Sequence, residues 1–172
     1  GIEVAGILAS DDDGQSWQAM NDGLTDPDIH QILPSKKIPG LVVTACGEGV
    51  PRSSDRGNRW ERVTPAGGRT YGNALAEDDH GTIYLGITQD RPRTWTRAGR
   101  ARSAIFKSTD GANWQLLTEK MSGGVTDITP AADGDGVLIA TADGEVVELN
   151  PSGDTRTIIA GLPCITAIAL GA

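Results

Sequence analysis

Three segments of this chain share one spaced pattern. Ser10-Asp11-Asp12-Asp13-Gly14-Gln15-Ser16-Trp17 is matched by Ser53-Ser54-Asp55-Arg56-Gly57-Asn58-Arg59-Trp60. It returns, one residue shorter, as Ser108-Thr109-Asp110-Gly111-Ala112-Asn113-Trp114. The common form is Ser-x-Asp-x-Gly-x-x-Trp, and the tryptophans fall 43 and 54 residues apart. That period suits one four-stranded sheet per repeat.

The chemistry of the pattern is that of a hairpin. Its Asp can accept backbone N–H bonds across a turn, and its Gly supplies a positive φ. Its Trp folds back over adjoining strands and buries a large apolar area. None of these tasks needs a substrate, so Ser10, Asp12, Gly14 and Trp17 are read as structural. The same holds for Ser53, Asp55, Gly57 and Trp60, and for Ser108, Asp110 and Trp114. All three tryptophans are expected to be largely buried. The repeat resembles the Asp-box, or bacterial neuraminidase repeat, of sialidase-like β-propellers. The overall resemblance is to bacterial Asp-box propellers with no assigned reaction. It implies an all-β fold of four-stranded antiparallel blades, with the boxes on the periphery away from any active face.

Blades can be traced between the boxes from β-branched content and short turns such as Asp143-Gly144. One takes strands at 29–33, 41–46, 50–53 and 60–64, and the next at 71–76, 82–88, 103–108 and 114–118. A third, without a box, takes 125–129, 137–141, 145–149 and 155–160. An incomplete blade precedes them, with strands at 2–4, 6–10 and 17–20. A lone innermost strand at 164–170 follows, and it could complete the first blade and close the ring. The chain then holds about four blades as a single propeller. Alternatively it is part of a larger one, since it begins at Gly1 and further blades could precede it.

The 23 glycines and 9 prolines are spread along the chain, as short strands and tight turns require. A formal charge of −8 argues against a nucleic-acid or anionic-membrane partner. Cys46 and Cys164 lie in apolar runs and read as buried free thiols rather than a disulfide. No zinc spacing and no cofactor motif is present, so no metal and no cofactor is expected.

Function in a propeller must be argued from a site. If strands run outward from the axis, the loops from fourth to first strand share a face with those from second to third. That face holds residues 23–30, 66–71, 119–126 and 89–102. The last segment stands out, because the matching loops in other blades are only a few residues long. It carries five basic residues, Arg91, Arg93, Arg97, Arg100 and Arg102, together with Trp95, the one tryptophan outside a box. Arginine suits a carboxylate or phosphate, and a neighbouring aromatic suits a sugar ring or a cation–π stack. The plainer reading is a solvated loop whose arginines pair with nearby carboxylates and whose Trp95 packs on a blade. Arg69, Tyr71 and His30 complete the candidate set. His30 follows Asp26-Pro27-Asp28-Ile29, which could serve acid/base chemistry or a metal but is better read as an ordinary turn. Gln31, Asn73 and Asp127 align on the innermost strands, with Ala167 in the fourth, and are expected to line a central channel.

Two functions compete. The first is a non-catalytic binding or scaffold module that holds a protein, a glycan or another anionic ligand on its loop face. Self-association or further blades would complete its ring. The second is a sialidase-like glycoside hydrolase with part of its active site outside this chain. That resemblance implies three arginines, a Tyr–Glu pair and an acid/base Asp, but the Arg-Ile-Pro motif is absent. Only Asp26, Asp28 and Asp127 offer themselves as carboxylates, and Tyr71 is the single tyrosine on the expected face.

Overall fold

Runs of four to seven residues rich in Val, Ile and Thr, each stopped by glycine or an Asx turn, set the strand lengths. A computed structural model describes residues 1–65, 67–89, 91–96, 101–132 and 134–170. Arg97 and Arg100 of the candidate loop lie outside the described residues. Strands β1 (Leu8–Ala9) and β2 (Gln18–Ala19) form a two-stranded sheet. A four-stranded antiparallel sheet follows from β3 (Ile29–Pro34), β4 (Val42–Cys46), β5 (Val50–Ser53) and β6 (Glu61–Val63). The next comprises β7 (Tyr71–Glu77), β8 (Ile83–Thr88), β9 (Ala104–Ser108) and β10 (Gln115–Thr118). The last comprises β11 (Val125–Pro130), β12 (Val137–Thr141), β13 (Val146–Leu149) and β14 (Thr155–Ile159). Spatial order equals chain order in every sheet. The one helical element among the described residues is a 3-10 turn at Pro92–Thr94.

The core lies between successive sheets. β8 shows why: it is buried along its whole length, and alternate side chains serve opposite interfaces. Ile83, Leu85 and Ile87 meet Leu41, Val43 and Val50 of the sheet before. Tyr84 points the other way, toward Val125 and Ile139 of the sheet after. A smaller cluster of Ile7, Ile29, Cys46 and Trp60 joins the two-stranded sheet to its neighbour.

The repeated hairpins use one set of bonds. In each, the Ser hydroxyl donates to the Asp carboxylate: Ser10 to Asp12 at 2.8 Å, Ser53 to Asp55 at 2.7 Å and Ser108 to Asp110 at 2.9 Å. The same hydroxyl oxygen accepts the N–H of the turn glycine, Gly14, Gly57 or Gly111. The carboxylate in turn accepts an N–H further on, from Ser16, Arg59 or Asn113. In the two full-length copies a left-handed residue, Asp13 (φ 56°) or Arg56 (φ 62°), precedes the left-handed glycine. The third copy deletes that residue and keeps only Gly111 (φ 70°), so the shorter turn has the less strained backbone.

Three expectations are corrected. Trp60 is buried (3% exposed), but Trp17 is 62% exposed. The reason is placement: Trp60 lies over the preceding sheet and donates its indole N–H to the Met20 carbonyl at 2.8 Å. Trp114 is half-buried and packs against the cluster that Leu41, Val43 and Leu75 build between its own sheet and the one before. Trp17 belongs to the first sheet and has no such neighbour. Next, the expected strand at 2–4 is only a bridge between Ile2 and Gly6. Residues 164–170 form no strand and do not pair with β1, and Cys164 is exposed rather than buried. The Ile168 N–H instead donates to Asp127 Oδ2 at 2.8 Å, which holds this segment beside β11. Both cysteines are free.

The third correction concerns the innermost strands β3, β7 and β11. Each carries a β-bulge near its start, and the residues skipped by the pairing are His30, Asn73 and Thr126. Asn73 is therefore the counterpart of His30, while Gln31 and Asp127 sit one place later. A bulge re-aims the side chain it bears. Here the polar side chains point along the row of innermost strands. The Gln31 amide donates to the Leu75 carbonyl at 2.9 Å and accepts the Leu75 N–H at 2.7 Å. Asn73 donates to the carbonyls of Val125 and Thr126. These residues clasp one blade to the next.

Candidate functional site

The bulge in β3 also places His30. Its Nδ1 lies 2.6 Å from the Gly72 carbonyl oxygen, which can only accept, so Nδ1 carries the proton. Nε2 is left facing Asp28 Oδ2 at 3.5 Å. The Asp26-Pro27-Asp28 segment is a turn: the Asp28 N–H donates to Asp26 Oδ1 at 3.0 Å. Both carboxylates crowd Gly47, where a Cβ would stand 2.8 Å from Asp26 Oδ2 and 3.1 Å from Asp28 Oδ2. Gly47 thus leaves room for the pair.

Tyr71, the first residue of β7, lies on His30 with ring centroids 4.6 Å apart. Trp95 also meets Tyr71, edge-on, at 5.8 Å. The loop therefore brings Trp95 into a continuous aromatic row with the mouth residues. Trp95 is buried, in a cluster with Ala101 and Ala142. Its ring is seated on Gly124, where a Cβ would come within 2.2 Å of Trp95 Cγ. Its carbonyl accepts the Gly124 N–H. Trp95 is thus the anchor of the loop on the following blade, not a free stacking platform. Burial raises the Tyr71 hydroxyl above its ordinary pKa, and the Asp28 charge adds to that, while Arg91 opposes it.

The arginines divide into two groups. Arg69 is almost enclosed: Nε donates to the Arg102 carbonyl at 2.6 Å and Nη2 meets Glu119 at 2.8 Å. Arg102 donates to Gln89 Oε1 at 2.9 Å. These two fasten the base of the loop. Arg91 and Arg93 flank Pro92 on the 3-10 turn and are exposed. Among the described residues no group of three or more His, Cys, Asp or Glu side chains is arranged to hold a metal ion. Asp127 is engaged by the N–H groups of Ile128 and Ile168. Sequence reasoning missed the clasping role of Gln31 and Asn73; the bulge that reveals it leaves no mark in composition.

No family model and no curated protein matches the sequence. Solved structures do. The GH74 xyloglucanase from Xanthomonas campestris superposes with a TM-score of 0.67 at 17% identity, over 92% of this chain and 27% of that one. The extracellular domain of BT4673 from B. thetaiotaomicron gives 0.67 at 14% identity, over 95% and 21%. YCF48 bound to D1 peptide gives 0.51 at 18% identity, over 87% and 45%. The fold is a β-propeller. The chain spans less than half the length of each of these structures, and at such identities the likeness is one of fold alone. Among these structures are an enzyme, the xyloglucanase, and a protein with a bound peptide, YCF48. In propeller terms, His30, Tyr71 and Trp95 come together where the innermost strands β3 and β7 begin, and the Ser-Asp-Gly-Trp hairpins follow the third strand of their blades.

Proposed function

We propose that this chain is an Asp-box propeller that acts as a non-catalytic binding module, taking a protein segment or glycan with anionic groups at its mouth. The observation that supports the reading is the seating of residues 91–96 through Trp95. A buried Trp95 packs on Gly124 at the edge of the next blade, and the 3-10 turn just before it carries the exposed Arg91 and Arg93. An anchored loop presents charge at fixed positions, which lowers the ordering cost of binding. Local positive potential can draw an anionic ligand even to an acidic protein. The peptide bound by YCF48 is a precedent for a propeller of this fold serving as a receptor. The glycosidase alternative draws less support. Its two carboxylates must stand on either side of the scissile bond, whereas Asp26 and Asp28 are joined in one turn and converge on Gly47.

The test leaves Trp95 in place. Wild type and the Arg91→Glu/Arg93→Glu variant are titrated calorimetrically with an acidic peptide and with a sulfated oligosaccharide, at low and high salt. The expected result is binding to wild type that weakens with salt and is lost in a variant with unchanged circular dichroism. Equal binding by both proteins, or none by wild type, overturns the proposal.

A further inference from the structure

The β3–β6 blade is basic in an acidic protein. Residues 29–64 carry six basic side chains, Lys36, Lys37, Arg52, Arg56, Arg59 and Arg62, against three acidic ones, a net of +3 in a chain of formal charge −8. Arg52 is paired with Glu61, and Arg62 lies beside Gly49, at the end of the blade where β3 begins. Lys36, Lys37 and Arg56 fall at the opposite end, on the turns 35–41 and 54–60 that follow β3 and β5. All three are exposed, and among the described residues none of their side chains makes a hydrogen bond or an ion pair.

The backbone beneath these cations is fastened. The Ser35 hydroxyl accepts the Lys37 and Ile38 N–H groups and donates to the buried Glu77 of the next blade at 2.6 Å. The other Glu77 oxygen accepts the Lys36 N–H at 2.6 Å. The Arg56 N–H donates to the Gly40 carbonyl at 2.9 Å, which ties the two turns together. Arg56 itself stands at a left-handed φ of 62°. The first repeat fills that position with Asp13, a residue type that tolerates it, and the third repeat deletes it. The hairpin closes without an arginine, so the guanidinium placed there serves no local need.

The surroundings limit what these cations can hold. The equivalent turns of the flanking blades carry Asp11, Asp12 and Asp13 on one side and Asp79 and Asp110 on the other, with no Lys or Arg. They stand close: a Cβ on Gly81 would come within 3.0 Å of Lys37 Cγ, so the lysine stem lies on the next turn. A long polyanion or an anionic bilayer would run from the cations onto these carboxylates and be repelled. An acidic stretch about one blade wide meets the cations alone.

We infer that Lys36, Lys37 and Arg56 form a second docking surface, at the end of the blades away from His30 and Tyr71, for a short acidic segment of another protein. Nothing in this assignment rests on the ligand at the mouth.

Three exposed cations hold a free peptide too weakly for calorimetry, so the test traps it covalently. Carbodiimide joins a carboxylate to a lysine amine as an amide, and the chain has four lysines, Lys36, Lys37, Lys107 and Lys120, with none in the 89–102 loop. The Arg91→Glu/Arg93→Glu protein, whose mouth no longer competes, is coupled to a short end-blocked peptide of Asp and Glu. Peptide mass spectrometry then maps the sites, each scaled to its coupling with acetate. The expected label on Lys36 and Lys37 exceeds that on Lys107 and Lys120 by about tenfold and falls at high salt. Adding Arg56→Asp, the residue type of the first repeat, should cut that label severalfold with unchanged circular dichroism. Neither a duplex oligonucleotide nor phosphatidylserine vesicles should displace the peptide. Even labelling of the four lysines, labelling indifferent to Arg56→Asp, or displacement by the duplex or the vesicles overturns the inference. Wild type should give the same Lys36 and Lys37 label, which separates this surface from the mouth.

Discussion

The Gln31 side chain spans two blades by bonding both backbone groups of Leu75, its Nε2 donating at 2.9 Å and its Oε1 accepting at 2.7 Å. One amide therefore satisfies a donor and an acceptor that β8 does not reach. Gln31→Leu should leave both unpaired next to buried core and destabilise the fold by about 1–3 kcal/mol. Urea unfolding is the measurement; a change within a few tenths of a kcal/mol would mean that water replaces the amide.

Trp60 and Trp17 hold the same place in the repeat but differ in what lies beneath them. Trp60→Ala removes a buried indole and its bond to Met20, for an expected loss of about 3–5 kcal/mol. Trp17→Ala should change stability by no more than about 0.5 kcal/mol, because that indole is exposed. Urea denaturation of the two variants beside wild type makes the comparison.

Acid should undo the hairpins in a defined window. The Ser16 hydroxyl and N–H, then the Ser10 hydroxyl, hold Asp12 down at about 2. The Ser53 hydroxyl and the Arg59 N–H lower Asp55, and the Asn113 N–H leads the groups that lower Asp110 further still. A carboxylate whose pKa is depressed on folding adds stability that is present above its unfolded value, about 3.9, and lost as pH falls through the folded value. Melting temperature should therefore drop from about pH 4 downward. Asp110→Asn should be less stable at neutral pH and flatten that dependence, as thermal melts across the range would show.

The two thiols should separate by reactivity. Burial pushes Cys46 up to about 11, and the Asp26 charge adds to this. Cys164 is exposed. Brief alkylation of the native protein at mildly alkaline pH, followed by peptide mass spectrometry, should find the label on Cys164 and none on Cys46 until the chain is unfolded. Label on Cys46 in the native protein would contradict the burial of β4.

The sequence by itself determined the hairpins and the strands. A Ser, an Asp and a Gly within five residues are close enough to bond one another, so the turns at Asp12, Asp55 and Asp110 close with the same Ser–Asp and Gly–Ser bonds wherever they stand in space. The nearly unbroken apolar run at 83–88 likewise fits a strand covered on both faces. What covers them is a tertiary matter. Trp17, Trp60 and Trp114 are alike in sequence, and only the presence of a preceding blade makes Trp60 buried and Trp17 exposed. The bulges that turn His30 and Asn73 toward the next innermost strand arise from pairing with β4 and β8, many residues away. Trp95 reads in sequence as a candidate recognition aromatic; its role as an anchor follows from Gly124, whose missing side chain makes room for the ring. Local bonds are fixed by spacing along the chain, whereas burial and partnership depend on which blade lies alongside.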